Sequence, residues 1–140
     1  MARQINIAFL GCGFIAAVHS RALTRLRDDI SLSYASRNID RARQYCQLHG
    51  GLKSYGDYQS AIDDPTVDAV VIAVPPLLHL PLTLEALAAR KHVLVEKPAF
   101  PCLADFEHAQ TAAAEAGRVV LVGENDHYKP LAVCLRKLLA

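Results

Sequence analysis

Two short stretches of the sequence hold residues whose types and spacing could do chemistry. The first, GCGFIA at residues 11–16, follows the apolar run INIAFL. After a strand, Gly11 permits a tight turn, Gly13 lets backbone N–H groups approach a pyrophosphate, and Ala16 replaces a third glycine where helix and strand pack closely. The motif alone could be only a tight turn, but its place between a predicted strand and a predicted helix favours a dinucleotide site.

The second stretch, HVLVEKP at residues 92–98, ends an apolar run with a carboxylate and an ammonium group. At the end of a strand, Lys97 could hydrogen-bond a substrate oxygen beside a nicotinamide ring and help its proton leave during hydride transfer. Glu96 could pair with Lys97 or hold the nicotinamide ribose. Without a strand before it, Lys97 would be interpreted as an ordinary surface lysine.

Both stretches belong to a chain in which apolar, strand-like runs alternate with longer segments of helical period. Uniformly apolar strands are typical of a parallel sheet buried on both faces. The pattern predicts a single Rossmann-type, doubly wound α/β domain with a mostly parallel sheet and helices on both faces. We expect residues 1–125 to form the dinucleotide-binding domain and residues 126–140 to begin a linking helix. Asp57 as a helix N-cap, and Gly50 and Gly117 as helix ends, support the element boundaries.

In such a fold, ligands bind beyond the carboxyl ends of the strands. The second predicted strand ends at Ser36 and Arg37, a hydroxyl and a guanidinium that suit a 2′-phosphate, whereas a carboxylate there would favour NAD. The sequence therefore predicts NADP as the preferred cofactor and NAD as the alternative. Arg37 could also be a solvated loop residue, with Asn38 or Asp40 capping the next helix.

The end of the fourth predicted strand, VIAVPPLLH, should line the same crevice. We expect four of its residues to face the cofactor: Val74, Pro75, Pro76 and His79. His79 could equally be a helix-start histidine without a ligand. A polar group after the sixth predicted strand could face substrate or only solvent: Glu124, Asn125, His127 and Lys129.

The last residues form an amphipathic helical pattern that continues to the end of the sequence. Its apolar stripe consists of Leu131, Cys134, Leu135, Leu138 and Leu139. Because such a stripe should pack against another apolar surface, we expect this helix to be a candidate surface for self-association.

Length and composition exclude several classes of protein. A chain of 140 residues that is 52% hydrophobic can bury one core. Its net charge of +1, with acidic and basic residues mixed, favours a small-molecule ligand over nucleic acid or a membrane surface. The sequence shows no secretory signal and no run of membrane-spanning length, and its 4 cysteines lack C-x-x-C spacing. We therefore expect a cytoplasmic protein with reduced thiols and no metal site.

Four segments occur in order along the chain: GCGFIA, ASR, YGDYQSAIDDPTVDAVVIAVPPLLH and HVLVEKP. Together they resemble the N-terminal domain of the Gfo/Idh/MocA oxidoreductases, the family of glucose-fructose oxidoreductase and inositol dehydrogenase. The resemblance implies hydride transfer between NAD(P) and a sugar, polyol or related alcohol or carbonyl compound. Family members continue into an α+β substrate domain, so we expect little or no turnover by this chain alone.

The resemblance also implies roles for particular residues. The residues at the cofactor phosphates would be Gly11, Gly13, Phe14 and Ile15. Those at the adenosine ribose would be Ser36 and Arg37. Glu96 and Lys97 would lie near the nicotinamide, and Lys97 matches the catalytic lysine of the family.

Two positions depart from the family pattern. Pro76 stands where many members have asparagine, which removes a side-chain amide and a backbone donor from the cofactor wall. Cys102 stands where a serine or threonine often caps the next helix. A function of another class also fits the short chain: a non-catalytic dinucleotide-binding or sensing module that reports to a partner.

Overall fold

The computed structural model describes residues 3–125 and 129–139, and its centre is a six-stranded sheet. The strands are β1 (Ile5–Leu10), β2 (Ile30–Ala35), β3 (Ser54–Tyr55), β4 (Ala69–Ile72), β5 (His92–Val95) and β6 (Val120–Val122). Their order is β3-β2-β1-β4-β5-β6, and every neighbouring pair is parallel. The chain starts at the centre of the sheet and winds outward in both directions, which is the doubly wound arrangement that the sequence predicts.

Five helices cover the two faces of this sheet: α1 (Phe14–Leu23), α2 (Ile39–His49), α3 (Tyr58–Asp63), α4 (His79–Ala88) and α5 (Leu103–Ala116). A further helix, α6 (Pro130–Leu139), has no buried residue. Ala16 of α1 and Ala42 of α2 belong to the core cluster on one face. Ile62 of α3, Leu87 of α4 and Ala113 of α5 belong to the cluster on the other face. The predicted fold class is therefore confirmed, with a sheet that is parallel throughout.

The central strand β1 serves both cores because successive side chains of a strand point to opposite faces. Leu10 packs in one cluster and Phe9 in the other. Tyr34 of β2 stacks on Phe9 with ring centroids 5.5 Å apart, and its hydroxyl donates to Ser20 Oγ at 2.9 Å. Ser20 lies in α1, so these contacts fix α1 against the sheet behind the glycine loop.

Several helices begin at a capping side chain or end at a glycine, at positions that the sequence predicts. Asn38 accepts hydrogen bonds from the first backbone N–H groups of α2, so the cap is Asn38 and not Asp40. Asp57 caps α3 in the same way. Gly50 and Gly117 end α2 and α5 with φ of +66° and +63°, a left-handed conformation that glycine adopts without strain.

The outermost strand, β6, is less covered than the sequence predicts. Leu121 of β6 is 58% exposed, so the expectation that every strand is buried on both faces is wrong for this strand. On the sheet face that carries α1, there is an apolar hollow of about 290 Å³, whose lining includes Leu23, Leu94 and Leu121. The apolar composition of β6 therefore does not correspond to burial within the described residues.

Helix α6 carries the predicted apolar stripe, and its large apolar side chains are exposed, with Leu138 at 74%. Residues 126–128, where the sequence predicts the domain boundary, lie outside the described residues. Across residues 3–125 and 129–139, no helix is long and apolar enough to cross a bilayer.

Candidate cofactor site

The loop after β1 has a backbone that only glycine can adopt at its first position. Gly11 has a φ of +106°, and a Cβ added there would lie 2.4 Å from the carbonyl oxygen of Ala73. Its N–H donates to the carbonyl oxygen of Ala35 at 2.9 Å. Gly11 thus sits between the ends of β1, β2 and β4, at the point where the strand order reverses.

The next positions leave the start of α1 accessible. Gly13 occupies the N-cap, makes no side-chain cap, and has open space around the position of a Cβ. The first N–H groups of a helix have no partner within the helix and favour an anion such as a pyrophosphate. Phe14 and Ile15 are exposed at this end, whereas Ala16 is fully buried, as expected for the position that brings helix and strand together.

A cleft of about 460 Å³ opens beside this loop, at the carboxyl ends of β1, β2 and β4. Its wall contains six of the residues that the sequence predicts for cofactor binding: Gly11, Gly13, Ser36, Arg37, Val74 and Pro75. The strand register explains this convergence, because Leu10 of β1 aligns with Ala35 of β2 and with Ile72 of β4. Residues that follow these three positions must meet at one edge.

The far end of the cleft is basic. Ser36 is buried, and its Oγ accepts a hydrogen bond from the backbone N–H of Asn38 at 3.2 Å. Arg37 and Arg41 both line the cleft and are exposed. Arg41 is not among the residues that the sequence predicts for the cofactor, but it lies in the first turn of α2, the helix that begins just after the Ser36–Arg37 strand end. Two guanidinium groups beside a hydroxyl form a suitable environment for a phosphate ester.

Cys12 also lines the cleft but is chemically inert in this position. Burial raises the pKa of its thiol to about 11, against a smaller opposing effect of Arg41. The thiol therefore stays protonated near neutral pH and is a poor nucleophile or metal ligand. All four cysteines are free, and the described ranges contain no cluster of three or more metal-ligating side chains.

The prediction that His79 faces the cofactor requires correction. His79 is 1% exposed, and its Nε2 lies 2.8 Å from the carbonyl oxygen of Val74. Its Nδ1 lies 3.1 and 3.0 Å from the carbonyl oxygens of Pro98 and Ala99. Backbone oxygens thus surround both ring nitrogens, and the ring ties the end of β4 to the segment after β5. Pro76 is exposed in the short 3-10 turn that precedes α4.

Lys97 lies at the end of β5, on the same edge of the sheet. Its Nζ donates to Asn125 Oδ1 at 3.0 Å and to Glu124 Oε1 at 3.3 Å. Part of the polar group after β6 therefore contacts the lysine, while His127 lies outside the described residues and Lys129 is exposed. These contacts limit the positions that the ammonium group can take.

Glu96 turns toward α1. Its Oε1 lies 2.5 Å from Nε2 of His19, and its Oε2 accepts a hydrogen bond from the backbone N–H of Lys97 at 3.2 Å. No sequence pattern singles out His19, since a single histidine inside an amphipathic helix carries no signal of its partner. The structure alone brings it to the end of β5.

A larger cavity, of about 770 Å³, lies at the opposite edge of the sheet, where Ile5 and His92 begin their strands. It is bordered by Arg90 and Arg118, among others. In doubly wound sheets, ligands bind at the carboxyl ends of the strands and not at the amino ends. The smaller cleft is therefore the better candidate site.

Comparison with known proteins agrees with this geometry. The pattern of the family described as "Oxidoreductase family, NAD-binding Rossmann fold" (GFO_IDH_MocA) matches residues 5–124. The chain belongs to the Gfo/Idh/MocA oxidoreductase family. The resemblance inferred from the sequence is thus confirmed, and the chain has the NAD(P)-binding domain of that family.

Individual relatives have moderate similarity. Myo-inositol 2-dehydrogenase of Thermotoga maritima is 30% identical over 124 residues, which cover 89% of this chain and 37% of the relative. GenD2 from gentamicin A biosynthesis, solved with NAD, is 30% identical with a TM-score of 0.90, covering 100% of this chain and 40% of that one. KijD10, a 3-ketoreductase of Actinomadura kijaniata solved with NADP, is 27% identical with a TM-score of 0.90, covering 98% and 44%.

Among eight curated relatives, the matched stretch covers between 20% and 40% of the relative's own length. The matched part is the NAD-binding domain, so the comparisons support the cofactor class. More than half of each of these relatives has no counterpart among these 140 residues.

Proposed function

We propose that this chain is the NADP(H)-binding domain of an oxidoreductase that moves a hydride between the cofactor and a sugar, polyol or related alcohol or carbonyl compound. The observation that carries the proposal is the placement of the GCGFIA loop, the Ser36–Arg37 pair and Lys97 along the carboxyl edge of one sheet. The substrate class follows from relatives named for myo-inositol and 1,5-anhydro-D-fructose. Both are compounds with a polyhydroxylated ring.

The described residues fit a dinucleotide at this edge. Gly11 and Gly13 let the chain pass close to a pyrophosphate, whose charge the open start of α1 favours. The adenosine end would lie in the basic part of the cleft, and the nicotinamide end near Glu96 and Lys97. The nicotinamide ring, when bound, supplies or accepts the hydride.

The preference for NADP rests on the basic end of the cleft. A 2′-phosphate carries up to two negative charges, which Arg37 and Arg41 would neutralise while the hydroxyl of Ser36 adds a hydrogen bond. NAD has only a hydroxyl at that position and would leave both guanidinium groups without a charged ligand. Solved relatives hold NAD or NADP, so the fold alone does not select between them, and the proposed preference is argued from these residues.

Lys97 is the proposed catalytic residue. In the reducing direction, the carbonyl carbon gains the hydride, and Lys97 donates a hydrogen bond and then a proton to the oxygen. In the oxidising direction, the hydroxyl carbon loses the hydride, and the proton leaves the oxygen through the same group. Glu124 and Asn125 hold the ammonium group in place through their contacts with Nζ.

The proposal extends to the second half of the protein and to its location. We propose that residues 126–140 lead into a substrate domain, because the matched relatives are more than twice as long as this chain. The four free thiols favour the reducing cytoplasm as the location.

One observation favours a second candidate function, a dinucleotide-sensing module that acts through a partner or through a second copy. The exposed apolar side chains of α6 form a stripe that water solvates poorly. Sedimentation of the wild type and of Leu138→Lys would test self-association. A wild type that associates and a variant that is monomeric would support self-association through α6, whereas a monomeric wild type would contradict self-association.

A fluorescence titration with NADPH and NADH tests the proposed function. We expect micromolar binding of NADPH that Arg37→Ala weakens on the order of tenfold, with little change for NADH. Arg43→Ala is the matched control, because Arg43 is exposed on α2 and pairs with Asp40 away from the cleft. Failure of the wild type to bind either nucleotide would contradict the proposal.

A further inference from the structure

The contact between His19 and Glu96 joins two distant parts of the chain at the proposed nicotinamide end. His19 lies in α1, the helix that begins at the glycine loop, and Glu96 follows β5. Their side chains meet with 2.5 Å between Nε2 and Oε1. The Glu96 side chain is only 12% exposed, so this contact is formed in a partly desolvated setting where hydrogen bonds to a carboxylate are strong.

The His19 ring has an aromatic neighbour on one side and open space on another. It packs toward Phe9, with ring centroids 6.4 Å apart, and it borders the apolar hollow above β1, β4 and β5. His19 lies four residues after Ile15 and therefore on the same side of α1. The ring thus lies beside apolar side chains, while its Nε2 contacts the Glu96 carboxylate.

Three elements hold the Glu96 carboxylate. His19 of α1 contacts Oε1, and the backbone N–H of Lys97 donates to Oε2. On the third side, Gly123 after β6 approaches so closely that a Cβ there would lie 2.8 Å from Oε1. The two oxygens are thus distinct: Oε1 contacts His19 and lies closest to Gly123, while Oε2 accepts the backbone N–H of Lys97.

We propose that His19 is a positioning residue that acts through Glu96, holding Oε1 so that Oε2 is presented to a hydroxyl of the nicotinamide ribose. This inference rests on the proposed function, because it needs a dinucleotide whose nicotinamide half reaches the end of β5. The contact would also link the helix that faces the pyrophosphate to the strand that carries the catalytic lysine. His19 itself need not touch the cofactor.

The test compares two ligands that differ only in the nicotinamide half of the site. NADPH would occupy both halves, whereas adenosine 2′,5′-bisphosphate would occupy only the basic end of the cleft. For His19→Leu, we expect NADPH binding to weaken about five- to tenfold, the size of one lost hydrogen bond, and adenosine 2′,5′-bisphosphate binding to stay unchanged. His19→Gln, whose amide nitrogen can replace Nε2, should restore NADPH binding.

The outcomes of this titration distinguish failure of the proposed role of His19 from failure of the proposed function. Unchanged NADPH binding by His19→Leu, equal weakening of both ligands, or no rescue by His19→Gln would overturn the role of His19 and leave the proposed function standing. A wild type that binds neither ligand would overturn both. If His19→Leu does not fold, His19→Phe takes its place with the same expected results, because it keeps an aromatic ring beside Phe9 and lacks the nitrogen that contacts Glu96.

Discussion

Replacement of Gly11 by alanine is the perturbation whose effect the structure determines most sharply. The new Cβ would lie 2.4 Å from the carbonyl oxygen of Ala73, well inside the roughly 3.3 Å of the closest ordinary carbon–oxygen contacts. The φ of +106° would also have to be kept by a residue with a side chain. Because the obstructing atom belongs to the backbone of the strand end, a rotamer change cannot relieve the contact.

The magnitude follows from these two effects. The positive φ costs about 1–2 kcal/mol for a non-glycine residue. Overpacking against a fixed neighbour adds about 1–3 kcal/mol. We therefore expect Gly11→Ala to lower the free energy of unfolding by about 2–5 kcal/mol, or Tm by about 6–15 °C for a domain of this size.

Gly13→Ala is the matched control for this measurement. Nothing lies within 4 Å of its added Cβ, and its φ of −106° is open to any residue. We expect a loss of stability below about 1 kcal/mol from the poorer N-cap. NADPH binding should nevertheless weaken on the order of tenfold, because the methyl group would occupy the approach of the pyrophosphate.

Urea unfolding followed by circular dichroism, together with NADPH titration of both variants, checks the pair. A Gly11→Ala variant as stable as the wild type would contradict the first expectation, since the close contact with Ala73 would then be absent in solution. A Gly13→Ala variant that binds NADPH as tightly as the wild type would contradict the second.

Three further predictions concern single side chains. Arg41→Ala should weaken NADPH binding about five- to twentyfold and leave NADH binding nearly unchanged by calorimetry; equal losses would contradict a contact with the 2′-phosphate. Hydrogen bonds, of which the one from Lys53 has the largest effect, hold the pKa of the Asp64 carboxyl group well below its usual range. The ionised carboxylate therefore stabilises the fold at pH values above its pKa in the unfolded chain, and this contribution is lost as the pH falls. Asp64→Asn should therefore destabilise by about 1 kcal/mol at pH 7, and urea titrations should show the difference shrinking from about pH 4 downward, whereas a constant difference would contradict it. Because burial raises the pKa of Cys12 to about 11, a thiol reagent at pH 8 should label it far more slowly than the exposed Cys102, as peptide mass spectrometry would show; similar rates would refute this.

Local patterns in the sequence were sufficient to predict the strands, the helices and the glycine loop. Apolar runs and helical periods depend on nearest neighbours, so β1, α1 and the cap at Asp57 follow from short stretches, whereas the sequence left Asn38 and Asp40 both open as the cap of α2. Gly11 and Ser36 converge for a general reason, since the carboxyl ends of adjacent parallel strands share one edge.

The direction in which a side chain points, and its partners far away in the sequence, could not be predicted in this way. The position of His79 at a strand end suggested a ligand, but which way its ring points depends on the backbone carbonyls of Pro98 and Ala99, 19 and 20 residues later. The partner of His19 lies 77 residues away. Leu121 shows the reverse case: its apolar type predicts burial, but whether a helix covers it depends on tertiary packing.

Backbone amide NMR of the 140-residue chain, titrated with NADPH, tests the central claim most directly because it locates the bound nucleotide. We predict that the largest shift changes occur at the glycine loop, at Arg37 and at Lys97, along the carboxyl edge of the sheet. Changes concentrated near Arg90 and Arg118, at the larger cavity of the opposite edge, would contradict the account, as would the absence of any change.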